Sequence, residues 1–307
     1  MGEPVFVVFN PRSGKGRGAR LVQPVLGALA RPGITLEHAI TAQAGHESEL
    51  AERAIASGFR KIVAVGGDGT WSNVASGVLR SGQAAALGLI PGGTGCDLAK
   101  SLGIPPKDVA ACAAIVHDGA VRAIDVGRIE GRYFLNCAGF GYDIAVIEDS
   151  WRVTWLQGDL LYLYCALKQL GSYRGFPVEM EVDGVGQGKR DLLMLILANG
   201  RVFGGGFKIA PGAELGDGKL DVSSFGNARL PGRVELLVRL LRGTHGRAAA
   251  VHSFAGSRFR LRFDRPPAYE TDGEWNQAQT ADLEIETLPG ALRVLVPAGR
   301  DGLGGHT

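Results

Sequence analysis

Over its first 125 residues the chain alternates short β-rich runs with helical ones, and that alternation leaves it few folds. The runs Val5–Phe9, Thr35–Ile40, Lys61–Val65 and Ala86–Ile90 are followed by helical stretches at Ala19–Ala30, Glu47–Ser57, Trp71–Arg80 and Asp97–Leu102, with a further helix over Asp108–His117. Strands joined through helices lie parallel, and a parallel sheet has to be covered on both faces. Ligands of such sheets bind beyond the carboxyl ends of the strands.

After Asp125 the pattern changes. Short β-like runs follow at Val126–Ile129, Tyr133–Cys137, Val178–Val182, Leu192–Ala198, Leu220–Phe225, Phe259–Phe263 and Leu283–Thr287, and only two helical segments stand out, Leu160–Leu170 and Val234–Arg242. A largely antiparallel sandwich is the expected result. The sequence thus predicts an α/β domain with a parallel sheet at residues 1–125 and a mainly antiparallel β-sandwich domain at 126–307. The last strand is a candidate to return to the first domain. The tail GRDGLGGHT is expected to fray.

Three glycine-bearing loops follow three of the predicted parallel strands, so the topology puts them on one rim. They read Asn10-Pro11-Arg12-Ser13-Gly14-Lys15-Gly16, Gly66-Gly67-Asp68-Gly69-Thr70 and Pro91-Gly92-Gly93-Thr94-Gly95-Cys96-Asp97. Each leads into a helix, whose free amides and positive dipole end favour phosphate oxygens. Glycine lets the backbone take left-handed angles and brings a ligand close to bare amides. Hydroxyls at Ser13, Thr70 and Thr94 and the Lys15 cation extend the preference, and together the loops predict a polyphosphate site. Gly14-Lys15 is followed by Gly16 rather than Ser or Thr, and no GxGxxG follows the first strand, so neither the P-loop nor the dinucleotide fingerprint applies. Asp68 and Asp97 stand where phosphates are expected. Carboxylate and phosphate repel, so a divalent cation or a network of waters should lie between them, which points to Mg2+ with a nucleoside triphosphate. Asp97 can equally cap the helix it opens.

Composition excludes other classes. A net charge of +2 argues against a nucleic-acid binder driven by counterion release. The four cysteines, Cys96, Cys112, Cys137 and Cys165, form no CxxC pair or zinc-type cluster and read as reduced thiols in a cytoplasmic protein. The start MGEPVFVVF has neither a signal-peptide pattern nor a myristoylation signal. The apolar run Leu160–Leu167 falls short of the roughly 20 residues of a membrane-spanning helix, so no transmembrane segment is expected.

The ordered set Asn10-Pro-Arg-Ser-Gly14, Gly66-Gly-Asp-Gly-Thr70, Pro91-Gly-Gly-Thr94 with Asp97, Gly204-Gly-Gly-Phe-Lys-Ile-Ala-Pro211 and Asp217-Gly-Lys-Leu-Asp221 resembles the bacterial diacylglycerol-kinase-like lipid kinases. That family includes the soluble diacylglycerol kinases and YegS-type lipid kinases and is related to sphingosine and ceramide kinases. A GGDG loop also occurs in NAD kinases and phosphofructokinases; the ordered series is what is specific. The resemblance implies a nucleotide domain of phosphofructokinase or NAD-kinase type and a β-sandwich facing it across a cleft. It implies transfer of the ATP γ-phosphate to the hydroxyl of diacylglycerol or a related lipid.

On the same resemblance, Asn10, Pro11, Arg12, Ser13, Gly14, Thr41, Gly66, Gly67, Asp68, Gly69, Thr70, Trp71, Ser72 and Thr94 would hold ATP. Asp68 and Asp97 would organise the catalytic Mg2+, and Glu274, in the stretch Tyr269-Glu-Thr-Asp-Gly-Glu-Trp275, would be the base for the acceptor hydroxyl. Read alone, Asp272-Gly273 is a hairpin turn that leaves Glu274 exposed. Glu214, Asp217 and Lys219 resemble the family's structural Mg2+ loop, the alternative being an unmetallated turn. Lys208 and Asp125 sit in family-like contexts suited to tying the domains together. Two departures stand out: Cys96 where the family has Asn, and Lys100 where it has Arg, which replaces a forked guanidinium by a point charge.

A lipid acceptor implies contact with the inner membrane surface. Arg229–Arg242 reads as a helix with one apolar and one basic face, suited to a membrane surface or to packing on its own domain. Trp151, Trp155, Leu160, Leu161, Tyr162 and Tyr164 form an apolar cluster suited to an acyl groove or to a core. An NAD-kinase-like enzyme and a catalytically silent nucleotide-binding regulator are the competing functions, and the sequence leaves open whether a homodimer forms.

Overall fold

The computed structural model describes residues 3–43, 45–156 and 159–299, with the backbone alone for Asp159 and Tyr162. Residues 300–307 of the tail expected to fray and the Tyr162 side chain lie outside that set. The chain forms two units, one running to Val126 and resuming at Pro289, the other spanning Gly127–Leu288.

The first unit runs β1 (Val5–Phe9), α1 (Ser13–Leu29), β2 (Leu36–Ile40), α2 (His46–Ala56), β3 (Lys61–Gly66), α3 (Asp68–Arg80), β4 (Ala86–Pro91), α4 (Asp97–Leu102) and α5 (Val109–Asp118). Its strands lie in the order β2-β1-β3-β4, all parallel. The runs VFVVF and KIVAVG are buried almost throughout, as strands covered on both faces must be. From β1 the chain steps outward to β2, then returns past β1 to β3 and continues to β4. Right-handed crossovers therefore put α1 on one face and α2 and α3 on the other. The loops leaving β1 and β3 diverge, which makes their shared edge a topological switch point.

Two helix starts differ from the sequence pattern. In α1, Gly14, Lys15 and Gly16 take φ angles of 54, 59 and 85°, so regular helix sets in only after them. In α3, helix begins directly at Asp68 with no side-chain cap. Gly77 lets α3 approach α2: a Cβ there would press on the Ser48 carbonyl and lie 2.9 Å from Ala51 Cβ.

The second unit is a mainly antiparallel, sandwich-like domain. It takes up the end of β5 (Ala120–Ile129), then β6 (Arg132–Phe134), β7 (Cys137–Gly141), α6 (Tyr142–Ser150), α7 (Asp159–Ser172), β8 (Phe176–Val182), β9 (Val185–Ala198), β10 (Leu220–Gly226), α8 (Leu230–Arg242), β11 (Val251–Gly256), β12 (Arg258–Phe263), β13 (Ala268–Thr271), β14 (Glu274–Gln277) and the start of β15 (Asp282–Val296). The end of β15 belongs to the first unit, where Arg293 and Val294 pair in parallel with β4. The expected run Tyr133–Cys137 is two strands, because Leu135 and Asn136 give their amides to the Asp272 carboxylate instead of a ladder. The helix α6 occupies a stretch in which no element was expected.

The core of this unit is organised by β9. Leu195 and Leu197 pack with Phe140, Met180 and Phe259 on one face, while Met194, Ile196 and Ala198 pack with Phe225, Leu236 and Leu240 on the other. A strand buried on both faces reads as the unbroken apolar run Leu192–Ala198. Its polar first half continues from β8 through Asp183-Gly184, both at positive φ as a two-residue hairpin requires. The Gly77→Ala protein gains about 1 kcal/mol in helix propensity but is overpacked against the Ser48 backbone. It should lose about 1–3 kcal/mol in net stability by urea denaturation.

Candidate functional site

The three glycine loops of the first unit meet at the switch point. Asn10 is the joint between the first two. Its amide donates to Val65 O at 3.1 Å, and its side-chain NH2 donates to Thr70 Oγ1 at 3.0 Å and Glu47 Oε1 at 3.1 Å. Its Oδ1 accepts from Arg12 N at 3.0 Å, which bends the chain back as an Asx turn does. The second and third loops touch through bare backbone. Gly92 N and Gly93 N both donate to Gly66 O, at 2.7 and 3.0 Å, and the position of a Cβ on Gly67 is 3.2 Å from Gly93 Cα. The third closes on the first, since a Cβ on Gly92 would lie 3.3 Å from Ser13 Oγ and one on Gly14 would strike Gly92 O. Side chains at Gly14, Gly67 or Gly93 would push the loops apart.

Asp68 ties this edge to α4. Its Oδ2 accepts from Asp97 N and its Oδ1 from Leu98 N, each at 3.1 Å. The cap of α4 thus comes from another loop. Asp97, read as a candidate cap, is instead the first residue of α4 and pairs with Lys100 Nζ at 2.7 Å. The two carboxylates converge: Asp68 Oδ2 and Asp97 Oδ2 lie 3.4 and 3.6 Å from the position of a Cβ on Gly95. Two acid oxygens brought together beside one lysine fit a divalent cation, although no group of three or more His, Cys, Asp or Glu side chains among the described residues could enclose one.

Other expected nucleotide residues divide by burial. Arg12 and Thr94 are exposed, Asn10, Pro11, Ser13, Gly14 and Gly67–Gly69 are partly exposed, and Gly66 and Thr70 are buried. Thr41 is buried, with its amide bonded to Phe9 O at 2.8 Å, and Ser72 is buried in α3. Trp71 is also buried: its indole is fully enclosed and its amide donates to Gly67 O at 3.0 Å, because its position in α3 turns it into the core. Glu47, buried and bonded to Asn10, was missed; a polar residue in the first turn of α2 carried no signal beyond helix capping.

Cys96 adopts φ 51° and ψ 48°, a left-handed conformation that Asn tolerates better than Cys. Its thiol is buried with Sγ 3.9 Å from Gly66 O, and burial, helped by Asp68, pushes its pKa up to about 12.

In the second unit, Asp272 and Gly273 form a left-handed pair, φ 51 and 85°, between β13 and β14. The buried Asp272 carboxylate accepts the amides of Leu135, Asn136 and Cys137 at 2.7, 2.8 and 2.9 Å. Glu274 stands exposed beyond the turn, yet partial desolvation, then Asp272, raises its pKa above the usual carboxylate value. Beneath the turn lies a second acid pair that sequence reasoning missed. Glu270, fully buried, accepts Gly273 N at 2.6 Å; a Cβ on Gly139 would lie 2.8 Å from its Oε1 and closer still to Asp143 Oδ2. Neither Asp143 oxygen reaches a donor in hydrogen-bond geometry, only the amides of its own first helical turn lying near. Burial raises Asp143 to about 7 and lifts Glu270 well above normal, with Asp143 adding to the latter.

In the other expected metal loop, Asp217 Oδ1 accepts Lys219 N at 3.0 Å, and Glu214, Asp217 and Lys219 are exposed. Burial first, then Asp217 and Glu214, raise the pKa of Asp221, so negative charge gathers there. Asp125, buried, accepts Gly290 N at 2.7 Å within the first unit, and Lys208 is exposed in the second.

The diacylglycerol kinase catalytic domain description matches residues 4–129, and that of the YegS C-terminal NAD kinase beta sandwich-like domain matches 136–296. A diacylglycerol kinase of Mycobacterium tuberculosis is 30% identical over 298 residues, covering 95% of each chain. In fold the chain is similar to a diacylglycerol kinase from Bacillus anthracis, with a TM-score of 0.70 and 21% identity over 96% of this chain and 97% of that one. An NAD kinase from Archaeoglobus fulgidus, solved in complex with ATP, has a TM-score of 0.55 and 15% identity over 96% and 94%.

Removing the Asp272 carboxylate orphans three amides, so Asp272→Ala should cost about 3 kcal/mol or more in chemical denaturation, with Asp272→Asn recovering part of it. The acid pair sets a pH dependence. An acid whose pKa is raised on folding contributes stability below its ordinary value and loses it as pH rises through the folded one. Stability should therefore fall between pH 3.8 and about 7, and Asp143→Asn should flatten the fall in thermal midpoint across that window.

Proposed function

The chain belongs to the diacylglycerol kinase family, and on that premise we propose that it is an ATP- and Mg2+-dependent lipid kinase, transferring the γ-phosphate to the hydroxyl of diacylglycerol or a related lipid. The observation that supports this best is the meeting of three amide-rich turns with two converging carboxylates, Asp68 and Asp97, at one edge of a parallel sheet. In this reading the amides of Gly14, Lys15, Thr94 and Gly95, the Ser13 and Thr94 hydroxyls and the Lys15 cation receive the triphosphate oxygens. Asn10 holds the first turn against Thr70, and Glu47 orients Asn10. A divalent cation drawn to Asp68 and Asp97 would supply charge neutralisation at the transferring phosphoryl group. Lys100 partly balances Asp97, and Asp68, fixed by two amides, keeps its place without the cation.

Phosphoryl transfer depends on alignment and on removing the acceptor's proton. Glu274 takes that proton; its raised pKa makes it a better acceptor than an ordinary glutamate, and Asp272 and Glu270 hold the turn that carries it. Asp217 through its carboxylate, and Glu214 and Lys219 through their backbone carbonyls, would hold a structural Mg2+, to which the charge gathered at Asp221 is suited. The enzyme works in the cytoplasm at the inner membrane surface, where ATP and a lipid hydroxyl are both within reach.

The test incubates purified protein with labelled ATP, Mg2+ and mixed micelles of diacylglycerol, monoacylglycerol, phosphatidylglycerol, sphingosine or ceramide, and separately with NAD. Lipid phosphorylation is expected. Asp68→Asn and Glu274→Gln should each lower turnover by about a hundredfold or more, Glu274→Gln keeping its nucleotide affinity. Undiminished turnover in Glu274→Gln removes its role as base, and phosphorylation of NAD alone, or ATP binding without transfer, overturns the lipid-kinase reading.

A further inference from the structure

Of the thirteen large apolar side chains exposed among the described residues, ten lie in two stretches of the second unit, residues 151–167 and α8. Such exposure is ordinary when scattered; gathered on neighbouring elements it marks a contact surface. On α7 the exposed residues are Leu160, Leu163, Tyr164 and Leu167, and on α8 they are Leu230, Val234, Val238 and Leu241. Spacings of three and four place each set on one helical stripe.

Neither stripe is needed for the fold. The inward face of α8 is built from Leu236, Leu240 and, against expectation, Arg233. The Arg233 guanidinium is buried and donates to Leu170 O at 2.8 Å, Ala228 O at 2.7 Å and Asn227 Oδ1 at 2.9 Å, so it locks α8 to the end of α7. The α8 residues the sequence offered for packing are thus split between two stripes, and the second faces solvent. Trp155 is 70% exposed and sets its ring edge-on to Tyr164, with centroids 5.3 Å apart. Residues 229–242 hold four arginines and one glutamate, and that Glu235 is paired with Arg239 at 2.7 Å. Apolar helical stripes with tryptophan and tyrosine among them and arginines beside them have the chemistry of a bilayer interface with anionic headgroups.

We propose that the outward stripes of α7 and α8 dock this chain on an anionic bilayer, their apolar side chains entering the headgroup boundary while the exposed Arg229 and Arg242 at the two ends of α8 meet lipid phosphates. This deepens the lipid-kinase reading by naming the face that meets the lipid, and is tested apart from it. Co-sedimentation is measured without nucleotide, on vesicles of phosphatidylcholine alone and of phosphatidylcholine mixed with phosphatidylglycerol. Wild-type protein should partition onto the mixed vesicles more strongly, with a blue shift in tryptophan emission. The double variant Val234→Asp/Val238→Asp should lose about tenfold or more of that partition, keeping its thermal midpoint because both positions are exposed. Arg242→Gln should weaken binding to the mixed vesicles alone. Glu274→Gln should bind vesicles as wild type does. On a dispersed short-chain diacylglycerol the double variant should turn over normally, and vesicle binding without any turnover would leave docking in place while removing the kinase reading. Equal sedimentation of wild type and double variant, no vesicle binding by wild type, or a wild-type dimer that the double variant splits would each overturn the proposal, the last giving the face to a second copy.

Discussion

The architecture of the candidate site rests on backbone meeting backbone. Gly66 O takes two amides from the next loop, and Gly67 and Gly93 face each other with no side chain between them. That approach is available only because β3 and β4 are adjacent and parallel and both end at the same level, Gly66 opposite Pro91. The remaining parts follow from it. Once the loops touch, Asp68 is near enough to α4 to cap it, and Asp97 is brought toward Asp68 by the amide it donates. The convergence of like charges is then a product of capping geometry, and Lys100 is the nearby compensation.

The second unit applies the same device with a different loop. Asp272 gathers three amides that no strand pairs, and so turns an interruption between β6 and β7 into the anchor of the hairpin that carries Glu274. The buried pair of Glu270 and Asp143 lies under that hairpin. Glu270 is bonded to the turn through Gly273, so its environment and the turn's geometry are linked.

Much of the fold was legible because it depends on periodicity. Parallel strands covered on both faces have to be apolar throughout, and β1, β3 and β4 read that way; β9 could be found for the same reason, though only its apolar half showed. The helix α6 was hidden because Gly141, at φ 105°, opens it without a capping side chain and its Ile and Val residues suit a strand as well. Motif order carried the family, whereas the burial of Trp71, which follows the loop in the chain but rotates inward with α3, could not be read from adjacency. Glu47 and the Asp143–Glu270 pair were invisible because each gains its meaning from a partner far away in sequence. The outward stripe of α8 could not be read either, since the alternation of leucine, valine and arginine permits two inward faces and only a buried Arg233 decides between them.

Cys96 gives the first unit a chemical temperament as well as a shape. Its sulfur sits at the junction of two phosphate-type loops, where peroxide or an electrophile would do most harm. Reaction requires thiolate, and with the pKa pushed up to about 12 almost none exists at neutral pH. All four cysteines are buried and unbridged. That edge is thereby a poor target for electrophiles, which need the thiolate.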